Sequence, residues 1–273
     1  MGDLLITVAP TGAETTKADC PQLPTTLAEL VETAQRCEAA GAAMVHVHIR
    51  DDEHRPTLDQ ARLKDTVAAL HESTGLVVQL STGGSVHDPL EDRLKVLDAQ
   101  PDSCSLTMGT TNFGDDVFLN PWPFVCDLYQ LSQERRIVPE FELFDLGQVA
   151  ALHRLLGKYG LPHGGKVHVD LVMGVPGGMP GTADALVAAV AVLPTETTSW
   201  SATGIGRSTL AVALASLSKG GHLRVGMEDV LTLARGVPVE HNEQLVRRVV
   251  ELGRIVQRTP MTPTEARTLL GMS

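Results

Sequence analysis

The chain is poor in aromatic side chains, which make up 3% of its 273 residues. That scarcity disfavours stacking platforms for nucleic-acid bases and points to aliphatic packing of helices on a sheet. Cysteine is sparse as well. Cys20, Cys37, Cys104 and Cys126 stand far apart with no CxxC pair, so neither a disulfide framework nor a thiolate zinc site is indicated. Positive charge is in deficit: 22 Lys and Arg face 33 Asp and Glu, a formal net charge of -11. A nucleic-acid or anionic-membrane partner would require a basic face to replace counterions, and both are excluded on that ground. No apolar run reaches the ~20 residues of a membrane span. The opening MGDLLITVAP has no basic segment followed by a long apolar one, so a soluble, cytoplasmic protein is expected.

What is present is enough to bury a large core: 43% of the residues are hydrophobic. Eight short apolar segments read as strands: DLLITVAP at 3–10, AAMVHVHI at 42–49, GLVVQLS at 75–81 and SCSLTM at 103–108, then RIVPEFEL at 136–143, GKVHVDLVM at 165–173, TTSWSA at 197–202 and HLRVGM at 222–227. Helical periodicity fills most of the gaps. Thr25 and Thr26 can cap a helix to about 40 whose Leu27, Leu30, Val31 and Ala34 share one face, with Gly41 as its stop. Further helices are expected over about 59–70, 88–97, 146–160, 182–193 and 207–221, and C-terminal helices from about 240 (240–258 and 263–270). The stretch 110–132 reads as irregular, a long loop in place of a well-formed helix. Eight strands alternating with helices fit a (β/α)₈ TIM barrel better than an open doubly wound sheet. No Pro/Ser-rich linker interrupts the chain, so one domain over 1–273 is expected.

The sharpest chemical signal is HVHIRD at 46–51. His46 and His48 lie two apart in an apolar strand, so both leave the same face and can hold one cation; the alternative is a pair of packed histidines. In a closed barrel the eighth strand neighbours the first, which neighbours the second, so Glu228 and Asp229 after HLRVGM come within reach as a third ligand. Two histidines and a carboxylate with open positions suit catalytic zinc and equally a non-haem iron. Glu14 follows the first strand, and STGG at 81–84 ends the third, where Ser81 or Thr82 can donate and Gly83 and Gly84 allow close backbone approach. Ser105 or Thr107 and Glu142 sit at the same level of the fourth and fifth strands. Arg224 alternates with Val225 and so can point into the barrel, where a cation needs an anionic partner. The glycine-rich GVPGGMPGT at 174–182 and ATGIGRSTL at 202–210 enter helices where barrels commonly bind anions.

Taken together, APTGAE at 9–14, HVHIRD at 46–51, STGG at 81–84, SLTMGTTNF at 105–113, PEFELFD at 139–145, GIGR at 204–207 and GGHLRVGMED at 220–229 give an end-to-end resemblance to the β-keto acid cleavage enzymes. The resemblance implies a zinc-dependent barrel enzyme, one Zn2+ per subunit, with acetyl-CoA as co-substrate. It condenses a small-molecule β-keto acid with acetyl-CoA and releases acetoacetate and a new acyl-CoA. It also implies a homo-oligomer, commonly a tetramer. By motif, His46, His48 and Glu228 resemble the metal ligands, Arg224 and Asp229 the polar relay at the reacting carbon, and Ser81 and Thr107 the hydroxyls near carbonyl and thioester. Glu14 and Glu142 resemble contacts to the substrate's variable end, which favours a cationic β-keto acid such as an amino-substituted one; Thr82, Gly83 and Gly84 complete the substrate-binding turn. The competing readings are a metal-dependent barrel hydrolase, a CoA-independent metal lyase or aldolase, and a ligand-binding barrel with two structural histidines.

Overall fold

The computed structural model describes residues 2–272. Eight parallel strands close into a barrel: β1 (Ile6–Val8), β2 (Met44–Val47), β3 (Val77–Leu80), β4 (Ser103–Thr107), β5 (Val138–Leu143), β6 (Val167–Met173), β7 (Thr197–Gly204) and β8 (His222–Val225). Each strand pairs with its sequence neighbours, and β8 closes on β1 through Thr7 opposite Arg224. This is the (β/α)₈ TIM barrel that the alternating pattern predicts.

The helices form where the caps are. α1 (Leu27–Ala40) begins at Thr26, whose hydroxyl accepts from Glu29 N while the Glu29 carboxylate reaches back to the cap, a complete capping box, and it ends at Gly41. α2 (Gln60–Ser73) is capped by Asp59, and α3 (Leu90–Lys95) runs into a 3₁₀ turn at Val96–Ala99, shorter than its 88–97 expectation. α5 (Leu146–Tyr159), α6 (Ala183–Ala191) and α7 (Thr209–Ser218) follow β5, β6 and β7, and α8 (Asn242–Ile255) and α9 (Pro263–Leu270) close the chain.

One expectation is corrected. The 110–132 stretch is not an irregular loop: Thr111–Phe113 and Asp116–Phe118 pair as an antiparallel hairpin, and α4 (Trp122–Glu134) is a full helix. Pro121 and Pro123 stand at the N-cap and in the first turn, where their missing N–H groups have no intrahelical partner to lose. Phe124, Val125, Leu128 and Tyr129 then bury against the sheet.

Two apolar layers lie between strands and helices. One joins Val8, Val45 and Val78 to Leu30, Leu63 and Val246; the other joins Leu106, Phe141 and Val169 to Leu128, Leu152 and Leu186. Because successive side chains alternate across a strand, the residues between these aliphatic ones face the barrel's interior, and many of them are polar. Gln79, Ser103, Glu140, His168, Ser201 and His222 are all buried polar side chains of barrel strands. The middle of the interior is thus polar, while Leu5, Met44 and Val77, in the same strand phase, form an apolar layer with Ala266 and Leu270 of α9.

Candidate active site

The catalytic face of a TIM barrel is its C-terminal end, and there the chain builds a cavity of about 290 Å³. β2 delivers His46, and His48 lies one residue beyond its end. Their rings sit 5.2 Å apart, and both Nε2 atoms lie 3.7 Å from Glu228 Oε1. Among the described residues these three form a group whose ligand atoms all lie within 4.8 Å of one another. Of the two acids after β8, it is Glu228 that joins the histidines.

Local structure explains why Glu228 arrives there. The chain leaves β8 through Gly226, whose α-carbon packs on the Ala9 carbonyl, and Glu228 N donates to that same carbonyl at 3.2 Å. Asn242, the first residue of α8, clamps the turn by accepting from Met227 N at 2.8 Å and donating to Pro10 O at 3.2 Å. Gly12 completes the cradle. It holds a positive φ of 63°, and a Cβ there would lie 2.6 Å from Glu228 Cγ.

The electrostatics favour ligand-ready protonation states. Burial pushes the His46 imidazolium down to about 4, with Arg224 adding to the effect, and His48 is lowered for the same first reason. Burial alone would raise Glu228, but Arg224 and the two imidazoles outweigh it and hold the carboxyl at about 2. At neutral pH the trio is therefore two neutral imidazoles and a carboxylate, the forms a metal ion requires. Glu228 Oε2 is buried and has no hydrogen-bond partner. Its other oxygen, Oε1, faces both imidazole nitrogens and accepts from Arg224, so the carboxylate keeps a buried, unpaired oxygen beside two nitrogen donors, a donor set that fits a cation.

Arg224 organises the acids around the trio. It donates to Asp229 at 3.0 Å, to Glu142 at 3.1 Å and to Glu228. Burial raises Asp229 to about 7 even against the Arg224 charge, and burial likewise raises Glu142. Thr107 donates to the other oxygen of Glu142 at 2.8 Å. Hence Thr107 and Glu142 are committed to the Arg224 network, although Glu142 also borders the cavity, whereas Thr107 does not.

Ser81, Gly83 and Gly84 line the cavity, and Ser81 Oγ accepts from Gly83 N at 3.1 Å. Thr82 does not line it: its hydroxyl donates to Ser105 O at 2.7 Å, and Ser105 Oγ accepts from Thr82 N. The open choices thus resolve toward Ser81, with Ser105 bracing the turn. Glu14 borders the cavity at its exposed rim.

Several residues escaped the sequence reading. Gln79 Oε1 lies 2.5 Å from His46 Nδ1, and Gln79 Nε2 donates to Ser103 Oγ at 3.1 Å. Deeper still, His168 sits 3.3 Å from Glu140, 2.7 Å from Ser199 Oγ and 3.1 Å from Ser201 Oγ, and Asp170 accepts from Thr203 at 2.6 Å. Asp170 is raised well above its ordinary value, first by burial and then by Glu140. The signal was available: VPEFEL, VHVDLVM and HLRV each place polar residues two apart inside apolar strands, so each pair faces one interior.

A closed barrel with two histidines and a carboxylate converging at its catalytic face defines the class: a TIM barrel with a candidate metal centre. The comparisons make it particular. The family model of the beta-keto acid cleavage enzyme matches residues 3–272, and the chain belongs to that family. It is 36% identical over 275 residues to the 3-keto-5-aminohexanoate cleavage enzyme of Acetoanaerobium sticklandii, covering 100% of both chains. It is 35% identical to the 3-oxoadipate:acetyl-CoA acetyltransferase of Cupriavidus necator, covering 98% of this chain and 94% of that one. Among solved structures, the apo structure of ObcA matches with a TM-score of 0.76 at 22% identity, over 92% of this chain and 66% of that chain, a likeness of fold.

Proposed function

We propose that this chain is a zinc-dependent enzyme that condenses a β-keto acid with acetyl-CoA and releases acetoacetate and a new acyl-CoA. The observation that carries the reading is the His46–His48–Glu228 trio with its orphaned oxygen, set beside the Arg224–Asp229 pair in one cavity. Family membership supports the reaction class, and the relative from Cupriavidus necator is named for acetyl-CoA. Two nitrogen ligands and one oxygen ligand with open positions suit zinc. When bound, the metal supplies Lewis acidity toward the keto oxygen.

The protein's own groups do the rest. Asp229, raised toward neutrality and held by Arg224, takes a proton from C2 of the β-keto acid. Arg224 faces the negative charge that develops, and the Ser81 hydroxyl donates to the carbonyl under attack. C2 attacks the acetyl carbonyl and the CoA thiolate leaves; the thiolate then adds to the original keto carbon and the bond from that carbon to C2 breaks. C2 departs within acetoacetate, regaining its proton from Asp229, and the remainder departs as acyl-CoA. Glu142 and Thr107 position Arg224 rather than touch the reacting atoms. The same reading carries one zinc per subunit, a homotetramer and a cytoplasmic location.

The test pairs metal analysis with a substrate screen. Purified protein should hold one zinc per chain, and His46→Ala should lose both metal and turnover. Wild-type protein supplied with β-keto acids and acetyl-CoA should form acyl-CoA and acetoacetate in equal amounts. Full activity in metal-free protein, or acyl-CoA without acetoacetate, would overturn the proposal.

A further inference from the structure

The cavity has two unlike sides. The charged side comes from β2, β8, the end of β5 and the loops after β1 and β8. The opposite side comes from the loops after β4 to β7 and is apolar. Phe144 follows β5, Val172 and Val175 come from β6 and its loop, and Ile205 follows β7. The hairpin after β4 brings Phe113 and Phe118 over them. Phe144, Val172 and Val175 are buried and form an apolar cluster of their own, with Phe113 and Ile205 packed against it, separate from the helix-facing cores. The three phenylalanine rings lie 6.1, 6.2 and 6.5 Å apart, edge to face, so each ring's face is partly covered by another ring.

This wall offers no charge partner. The charged residues bordering the cavity are Glu14, Glu142, Arg224, Glu228 and Asp229. Arg224 binds three of those carboxylates, which leaves Glu14 at the exposed rim. Behind the wall Arg93 stacks on Phe118 at 4.8 Å and donates to Thr82 O, Leu119 O and Asn120 Oδ1. Among the described residues that line the cavity, a carboxylate-tipped tail would meet no Lys or Arg other than Arg224. An ammonium-tipped tail would leave water for a surface whose acid, Glu142, is already paired, and an unpaired buried charge is strongly disfavoured.

Resting on the acyl-transfer reading, we infer that the substrate's variable end lies against this wall and that the enzyme prefers β-keto acids with an uncharged aliphatic tail. This inference competes with the expectation of a cationic substrate drawn from Glu14 and Glu142: Glu142 is committed to Arg224 and Thr107, and Glu14 stands at the exposed rim rather than on the wall.

A matched set of substrates tests this. In 5-methyl-3-oxohexanoate a methyl group stands where 3-keto-5-aminohexanoate carries its amine, so the two differ in charge at nearly constant shape; 3-oxoadipate supplies the anionic tail and a trimethylammonium-tipped β-keto acid the quaternary one. With zinc-loaded protein and saturating acetyl-CoA, kcat/KM for 5-methyl-3-oxohexanoate should exceed the others by at least about tenfold, the scale of one well-matched apolar group. Ile205→Lys, at the half-buried lip of the wall, should move the ratio toward 3-oxoadipate by at least about tenfold. A higher kcat/KM for the amino, quaternary or dicarboxylic acid, or an unchanged ratio in Ile205→Lys, would overturn the inference and leave the acyl-transfer reading standing. Binding without acetyl-CoA, read as a thermal shift with each acid, separates the opposite failure. Selective stabilisation by the apolar acid without any turnover would support the wall's preference and overturn the reaction; no shift and no turnover would overturn both.

Discussion

Gln79 carries the most quantitative consequence of the structure. His46 is 1% exposed, and its Nδ1 faces Gln79 Oε1 at 2.5 Å, so Nδ1 bears the proton and Nε2 turns its lone pair toward Glu228. Gln79 in turn is fixed by Ser103. Replacing Gln79 with Leu keeps the volume but removes the acceptor. The buried Nδ1–H then loses its partner, at a cost of about 1–3 kcal/mol, and the ring is free to adopt the other tautomer or tilt. Outer partners of metal-bound histidines typically matter by about 10–100-fold in affinity, or roughly 1.4–2.7 kcal/mol, so the two routes to the number agree. Zinc affinity is measured by competition against a chromophoric chelator, with circular dichroism confirming the fold. Gln79→Leu should bind zinc about 10–100-fold more weakly, and Gln79→Glu, which keeps an acceptor, should recover most of the loss. Wild-type affinity in Gln79→Leu would refute the argument that this side chain sets the histidine's tautomer.

Arg224→Lys should lower turnover at saturating acetyl-CoA by about 2–4 kcal/mol, the scale of losing one donor to developing charge, because one ammonium cannot serve the three carboxylates that the guanidinium fork spans; near wild-type kcat with intact zinc content would remove it from the reaction. Gly226→Ala should lower the denaturation midpoint and weaken zinc binding together, since a Cβ there would stand 1.8 Å from Ala9 O and force β8 away from β1; an unshifted melting curve would contradict it. His222 is buried, accepts from Leu5 N at 3.0 Å and is pushed down to about 3, first by burial and then by His168 and Arg258. The neutral form is the folded one, so its contribution is complete above the ordinary value of 6.5 and is lost as pH falls from there through about 3. Urea midpoints between pH 7 and 4 should drop with a steepness that His222→Gln reduces; identical pH profiles would show that His222 does not contribute.

Much of the fold was legible locally. The eight alternating segments, the cap at Thr25 or Thr26 and the Gly41 stop are set by neighbours a few residues apart, and the structure keeps them, with Thr26 as the cap. The His46–His48 pair was legible for the same reason: a period of two puts both side chains on one face whatever the rest of the chain does. Even Glu228 could be reached, because a closed barrel makes β8 and β1 neighbours. The hairpin and helix at 111–134 were missed because prolines and short strands punctuate a pattern too brief to show its period.

What the sequence could not decide is which polar groups would meet across the barrel. Glu142 reads in sequence as an unpaired acid at the end of β5, but the register from β4 to β8 places it against Thr107 and Arg224. Gln79 reads as one polar residue in an apolar strand, and only the pairing of β2 with β3 sets it opposite His46. The apolar wall is assembled from four separate loops, each contributing one or two side chains that look like ordinary core. The strand period is local and survives in the sequence. Contacts across the barrel depend on register, twist and loop path, which are fixed only when the whole sheet closes.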